Sequence, residues 1–179
     1  LYLRNSEVSK AYLAFTKAIS ISDSTEVLLR VCRLYKRLGY TTEIVTLAQE
    51  LGRDIPSSSG MRLIIARCLF EGKLYEEAKD LLWQIIKTSP SAEAYYMLGR
   101  VALGQGNMDE AELAIHRAIL FEPSNMRYRR ELVHLLKRLG KLKSAERELE
   151  VAIQYLENPS PGLFRERAYL RQKLKDYEG

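Results

Sequence analysis

The chain has 179 residues, 46% hydrophobic and 28% charged, with a net charge of +5 and a pI near 9.2, proportions typical of a protein with a sizeable core. They exclude a wholly disordered chain, and no run approaches the roughly 18 to 20 uninterrupted apolar residues of a membrane-spanning helix. The mild basic excess says little as an average, so its distribution along the chain matters more.

Taken in chain order, the apolar residues follow a helical period throughout, with no strand-like alternation of useful length. Residues 1–24 have the pattern of the end of a helical hairpin, mainly its second helix, with Ala11, Phe15 and Ala18 on one face. Residues 25–58 form a weaker unit with Val31, Cys32, Tyr35, Gly39, Leu51 and Pro56, in which Ile44 and Ala48 exchange large for small. Residues 59–91 carry Ile65, Ala66, Leu69, Ala78, Leu82, Ile85 and Pro90.

The clearest unit is 92–125, where Tyr95, Leu98, Gly99, Ala102, Ala111, Ile115, Ala118 and Pro123 recur in order. Gly99 and Ala111 are small where two helices are expected to cross, and Leu98 and Ile115 fill the space around them. Gly106 and Asn107 turn the chain, and Pro123 stops the second helix. Residues 126–159 repeat the pattern with Leu132, Gly140, Ala145, Leu149 and Ala152, and place Val133 at the glycine position. A linker-like Asn158-Pro159-Ser160-Pro161-Gly162 follows, then a helix over 163–174. Arg167 and Arg171 stand where apolar residues are expected, as on a solvent-facing capping helix. Residues 174–179 (LKDYEG) instead resemble a turn opening another hairpin, so 160–179 is either a cap or the start of a further repeat.

These residues fall at the spacing of the tetratricopeptide-repeat (TPR) signature, with Tyr, Ala and Ile in place of its Trp, Tyr and Phe in the unit 92–125. The resemblance implies an all-α, right-handed superhelical solenoid of antiparallel helix pairs, continuous as one domain. It also implies a non-catalytic scaffold. Residue 1 then falls inside a hairpin, so the sequence is expected to be a piece of a longer array, and the lack of a secretory leader pattern excludes little.

TPR arrays line their concave groove with the first helix of each hairpin. The segments 25–38, 59–71, 92–104, 126–139 and 161–175 together carry +12, and the rest of the chain −7. The expected groove ladder is Arg33, Arg67, Arg100 and His134, then Tyr169, with Lys36, Arg37, Tyr96, Arg127, Arg130 and Lys137 around it. Arginine suits an acidic ligand because its planar fork grips a carboxylate with two hydrogen bonds. Ordinary surface arginines pair with nearby acids instead, as expected for Arg129.

No phosphate loop, nucleophile elbow or zinc motif occurs. His116 and His134 lie in separate repeats, Cys32 and Cys68 sit among apolar neighbours as buried thiols, and no cofactor or metal site is expected. The Asn pattern of chaperone-tail receptors is absent, since Leu63, Ile64 and Arg67, then Tyr96, Met97 and Arg100, occupy those places. The expected role is capture of an acidic peptide segment or partner surface. The alternative is a bacterial secretion or exopolysaccharide-export system that guides an anionic polysaccharide or docks its modifying enzyme. Nucleic-acid contact ranks lower, and cytoplasm and bacterial periplasm are both compatible.

Overall fold

A computed structural model describes Lys17 and residues 59–178, with side chains as far as Lys175. Apart from Lys17, the expectations for 1–24 and 25–58, including Cys32, Arg33, Lys36 and Arg37, lie outside the described residues. The described part is all helical in its regular structure, with seven helices packed in sequential pairs. They are α1 (Ser59–Glu71), α2 (Tyr75–Thr88), α3 (Ala92–Gln105), α4 (Met108–Phe121), α5 (Met126–Arg138), α6 (Leu142–Tyr155) and α7 (Pro161–Glu178). The chain divides into two compact units, Leu1–Ser89 and Pro90–Gly179.

In the first unit α1 packs on α2. Met61, Ile65, Ala66, Ala78, Leu82 and Ile85 are at most 1% exposed, and they recur at the three- and four-residue spacing that gives a helix one apolar face. The turn between the helices is set by Lys73 at φ 62°, after which the Leu74 N–H closes on the Leu69 carbonyl at 3.0 Å. Left-handed backbone disfavours a side chain, and nothing in the sequence marked this lysine as the turning point.

In the second unit each helix packs on the next, from α3 through α7. Gly99 lets α3 and α4 approach: a Cβ there would lie 2.7 Å from Ile115 Cγ1 and 3.3 Å from the Ala111 carbonyl oxygen. The helix ends are chemically specified. The Ser91 hydroxyl accepts from the Ala94 N–H at the start of α3, and Asn107 Oδ1 accepts from the Glu110 N–H at the start of α4. Gly106 (φ 81°) and Gly140 (φ 71°) end α3 and the α5 turn in the left-handed conformation open to glycine. The N–H groups of Asn107 and Lys141 then close on the Ala102 and Leu136 carbonyls, each at 2.9 Å.

Pro161 starts α7, where its missing N–H costs nothing. The helix continues unbroken to Glu178, through the stretch whose sequence likeness suggested a turn. Arg167 is not solvent-facing either. Its Nε donates to Glu146 of α6 at 2.7 Å and its NH2 donates to Glu150, while Arg171 Nε donates to the same Glu146 oxygen at 2.8 Å. The two acids stand one helical turn apart, and that spacing accommodates arginines at expected apolar positions. The hydrogen bond from Arg167 is the main reason that the Glu146 carboxyl sits below its ordinary range.

Candidate functional site

The basic side chains of α5 divide into two kinds. Arg129 is 4% exposed. Its Nε donates to the Pro123 carbonyl at 2.8 Å, its NH1 pairs with Glu148 at 2.9 Å, and its guanidinium lies 5.0 Å from the Tyr155 ring centre. This arginine ties α5 to α6 and serves the fold. Arg130, next in sequence, is exposed, as is His134 four residues on. Among the described residues neither makes an ion pair, and neither do Arg138 on α5 and Arg165 on α7.

Helical spacing places Arg127, Arg130, His134 and Lys137 along one side of α5. At one edge of that side lies α3. The buried Tyr128 hydroxyl donates to Glu93 at 3.2 Å, and the Tyr96 and Tyr128 rings meet with centroids 4.8 Å apart. Burial, reinforced by the Glu93 and Glu122 carboxylates, pushes the Tyr128 phenol well above its ordinary pKa. Arg127 lies 4.6 Å above the Tyr96 ring, which is itself only 3% exposed. The exposed Arg127 guanidinium, and not the Tyr96 ring, is therefore what this place presents to solvent. Arg100, on the same helix as Tyr96, is half-buried.

At the other edge lies α7, joined by an ion pair of 2.8 Å between Lys137 and Glu166. Tyr169 is 53% exposed, with the Lys173 ammonium 5.7 Å from its ring centre. The second unit thus brings together Tyr96, Arg127, Arg130, His134 and Lys137, with Arg100 on α3. Arg67 is half-buried on α1 and belongs to the first unit. Arg33, Lys36 and Arg37 lie outside the described residues.

Sequence reasoning passed over two features here. Glu93 contributes an acid among the cations, visible only as the zero net charge of its segment. Lys141 and Lys143 lie beside α7 across the α5–α6 turn, and the KLKSA run after Gly140 gave no sign of where they would point. Among the described residues no three His, Cys, Asp or Glu side chains are grouped to hold a metal ion. No described helix is long and apolar enough to cross a membrane. Cys68 is buried.

A family model described as tetratricopeptide repeat matches residues 75–127 and 96–157. No protein of curated function matches in sequence. Solved structures do match in fold. A thermophilic TPR protein of Thermus thermophilus is 19% identical, with 96% of this chain and 94% of that one covered and a TM-score of 0.64. MamA (residues 41 to the end) from Desulfovibrio magneticus is 20% identical over 86% of this chain and 88% of that one, with a TM-score of 0.63. YrrB, described as a TPR protein with an unusual peptide-binding site, is 18% identical over 79% of this chain and 74% of that one, with a TM-score of 0.55.

Proposed function

We propose that this chain, which matches the tetratricopeptide-repeat family model over residues 75–127 and 96–157 and shares the fold of TPR proteins, is a non-catalytic scaffold that binds an acidic segment of a partner protein along the basic side shared by α3, α5 and α7. TPR domains generally mediate protein–protein interactions, and the chemistry of this side selects the partner's charge.

One contrast carries the reading. Arg129 is buried and paired with Glu148, whereas Arg130 and His134 are exposed and make no ion pair among the described residues. A fold that needed these cations only for packing would supply them with acids, as it does Arg129. Left in water on the same side of α5 as Arg127, they favour carboxylates brought by another chain. Each exposed pair contributes only about 0 to 1 kcal/mol, so affinity requires several together.

Binding of the purified chain to an acidic peptide, an anionic polysaccharide and single-stranded RNA at two salt concentrations tests this. The acidic peptide should bind best, and the Arg100→Glu/Arg130→Glu double variant should weaken it about tenfold, as the loss of several such pairs implies. Unchanged affinity and salt dependence in that variant defeats the proposal. Preference for the polysaccharide would favour a polymer-guiding role, and a steep salt slope with RNA would favour nucleic acid.

A further inference from the structure

We propose that the cavity between the α5–α6 turn and α7 receives an apolar side chain of the bound acidic segment, while the flanking carboxylates of that segment meet Lys137, Lys141, Lys143 and Lys173. This rests on the reading above and gives the partner a motif: one aliphatic residue with acids on both sides.

The cavity has a volume of about 730 Å³, within the range of ligand sites. It continues the side already described, because Lys137 and Tyr169 border both. Its floor is aliphatic: Leu170 is 1% exposed, and Leu174 forms a half-buried wall. Gly140 leaves the turn side open, since no atom lies within 4 Å of where its Cβ would be. Among the described residues four lysines line it and no acid does.

The acids that pair with Lys137 and Lys141 lie outside the lining. Lys137 is paired with Glu166 at 2.8 Å and Lys141 with Glu112 at 2.6 Å. An ammonium has three donors, so each keeps capacity for a ligand carboxylate. The hydrogen bond to Glu112 raises the Lys141 pKa above its ordinary value, which secures its charge. A smaller cleft on the other flank of α7, about 630 Å³, contains Glu146 in its lining and is less suited to an anion. An aliphatic floor beneath a cationic rim matches a peptide with a hydrophobic residue among acids. A polysaccharide has no such side chain to bury.

The full chain would be titrated with three fluorescent peptides: one with a leucine flanked by glutamates, its alanine counterpart, and a version with glutamines for glutamates. Replacing the leucine should weaken binding about tenfold or more, and neutralising the acids should weaken it comparably. The Lys143→Glu/Lys173→Glu variant, with an unchanged melting curve, should lower affinity for the acidic peptide about tenfold. A photo-crosslinking residue in place of the leucine should label α7 near Leu174, read by mass spectrometry. If Arg100→Glu/Arg130→Glu weakens binding while the lysine variant does not and crosslinks map to α3, the cavity assignment fails and the wider binding side survives. If none of the peptides binds, or an anionic polysaccharide displaces them regardless of the leucine, both fail.

Discussion

Gly99 lies so close to Ile115 that a methyl group on it would stand 2.7 Å from Ile115 Cγ1. Ile115 is fully buried, so the clash cannot be relieved into solvent. Gly99→Ala should destabilise the second unit by about 1–3 kcal/mol, the usual cost of overpacking a core. Combining it with Ile115→Ala, which removes the Cγ1 atom that the new methyl group would strike, should make the double variant more stable than the two single effects would give. Urea denaturation followed by circular dichroism measures this non-additivity.

Lys73 offers the opposite case. It holds a left-handed conformation at φ 62°, where Gly106 and Gly140 stand in the next two hairpins. Lys73→Gly should stabilise the first unit by about 0.5–1 kcal/mol, since relief of the side-chain strain outweighs the greater freedom of glycine when unfolded. Trp83, the single tryptophan and located on α2, reports this unit, and its fluorescence transition should move to higher urea.

Arg129 and Arg130 should separate stability from binding. Arg129→Met breaks a pair in which Glu148 is 17% exposed, and leaving that carboxylate behind should cost about 2–3 kcal/mol, somewhat below the cost for fully buried pairs. Arg130→Met should change stability by no more than about 0.5 kcal/mol yet weaken binding of an acidic peptide. Thermal melts and a binding titration on both variants decide this. A stability loss at Arg130 equal to that at Arg129 would make it a packing residue.

The docking of α7 on α6 should depend on pH through Glu146. Its folded-state pKa lies below the ordinary value, first because Arg167 donates to it and then because Arg171 does. The unfolded chain therefore takes up the proton at higher pH than the folded one. The resulting stability is present above the ordinary glutamate pKa of about 4.3 and is lost as pH falls through the lower folded value. Glu146→Gln should cost about 1 kcal/mol at pH 7 and flatten the loss of stability between about pH 5 and pH 3. Urea midpoints at several pH values would show it, and an unchanged pH profile would rule the clasp out as a contributor.

The sequence by itself determined the helix pairs, their recurrence and the residues where they cross, because these depend on short-range facts. Gly99, Ala111, Ala145 and Ala152 are small at fixed intervals, Gly106 and Gly140 can adopt positive φ, and Pro123 cannot continue a helix. Each such residue announces its role through its own stereochemistry. Lys73 did not, since its backbone is forced by the packing of α1 and α2 rather than by any preference of lysine.

The tertiary structure decided which acid each basic side chain of the fold meets and which side chains stay exposed. Arg129 was expected to pair with an acid and Arg130 to stay exposed, but the partner acid, Glu148 on the neighbouring helix, could not be read from the sequence. Likewise, Arg167 sits in an expected apolar place because Glu146 and Glu150 approach it from α6. Charge pairing falls off steeply with distance and with exposure to water, so its outcome is fixed by angstrom-scale placement of residues far apart in the chain, information that helical periodicity does not carry.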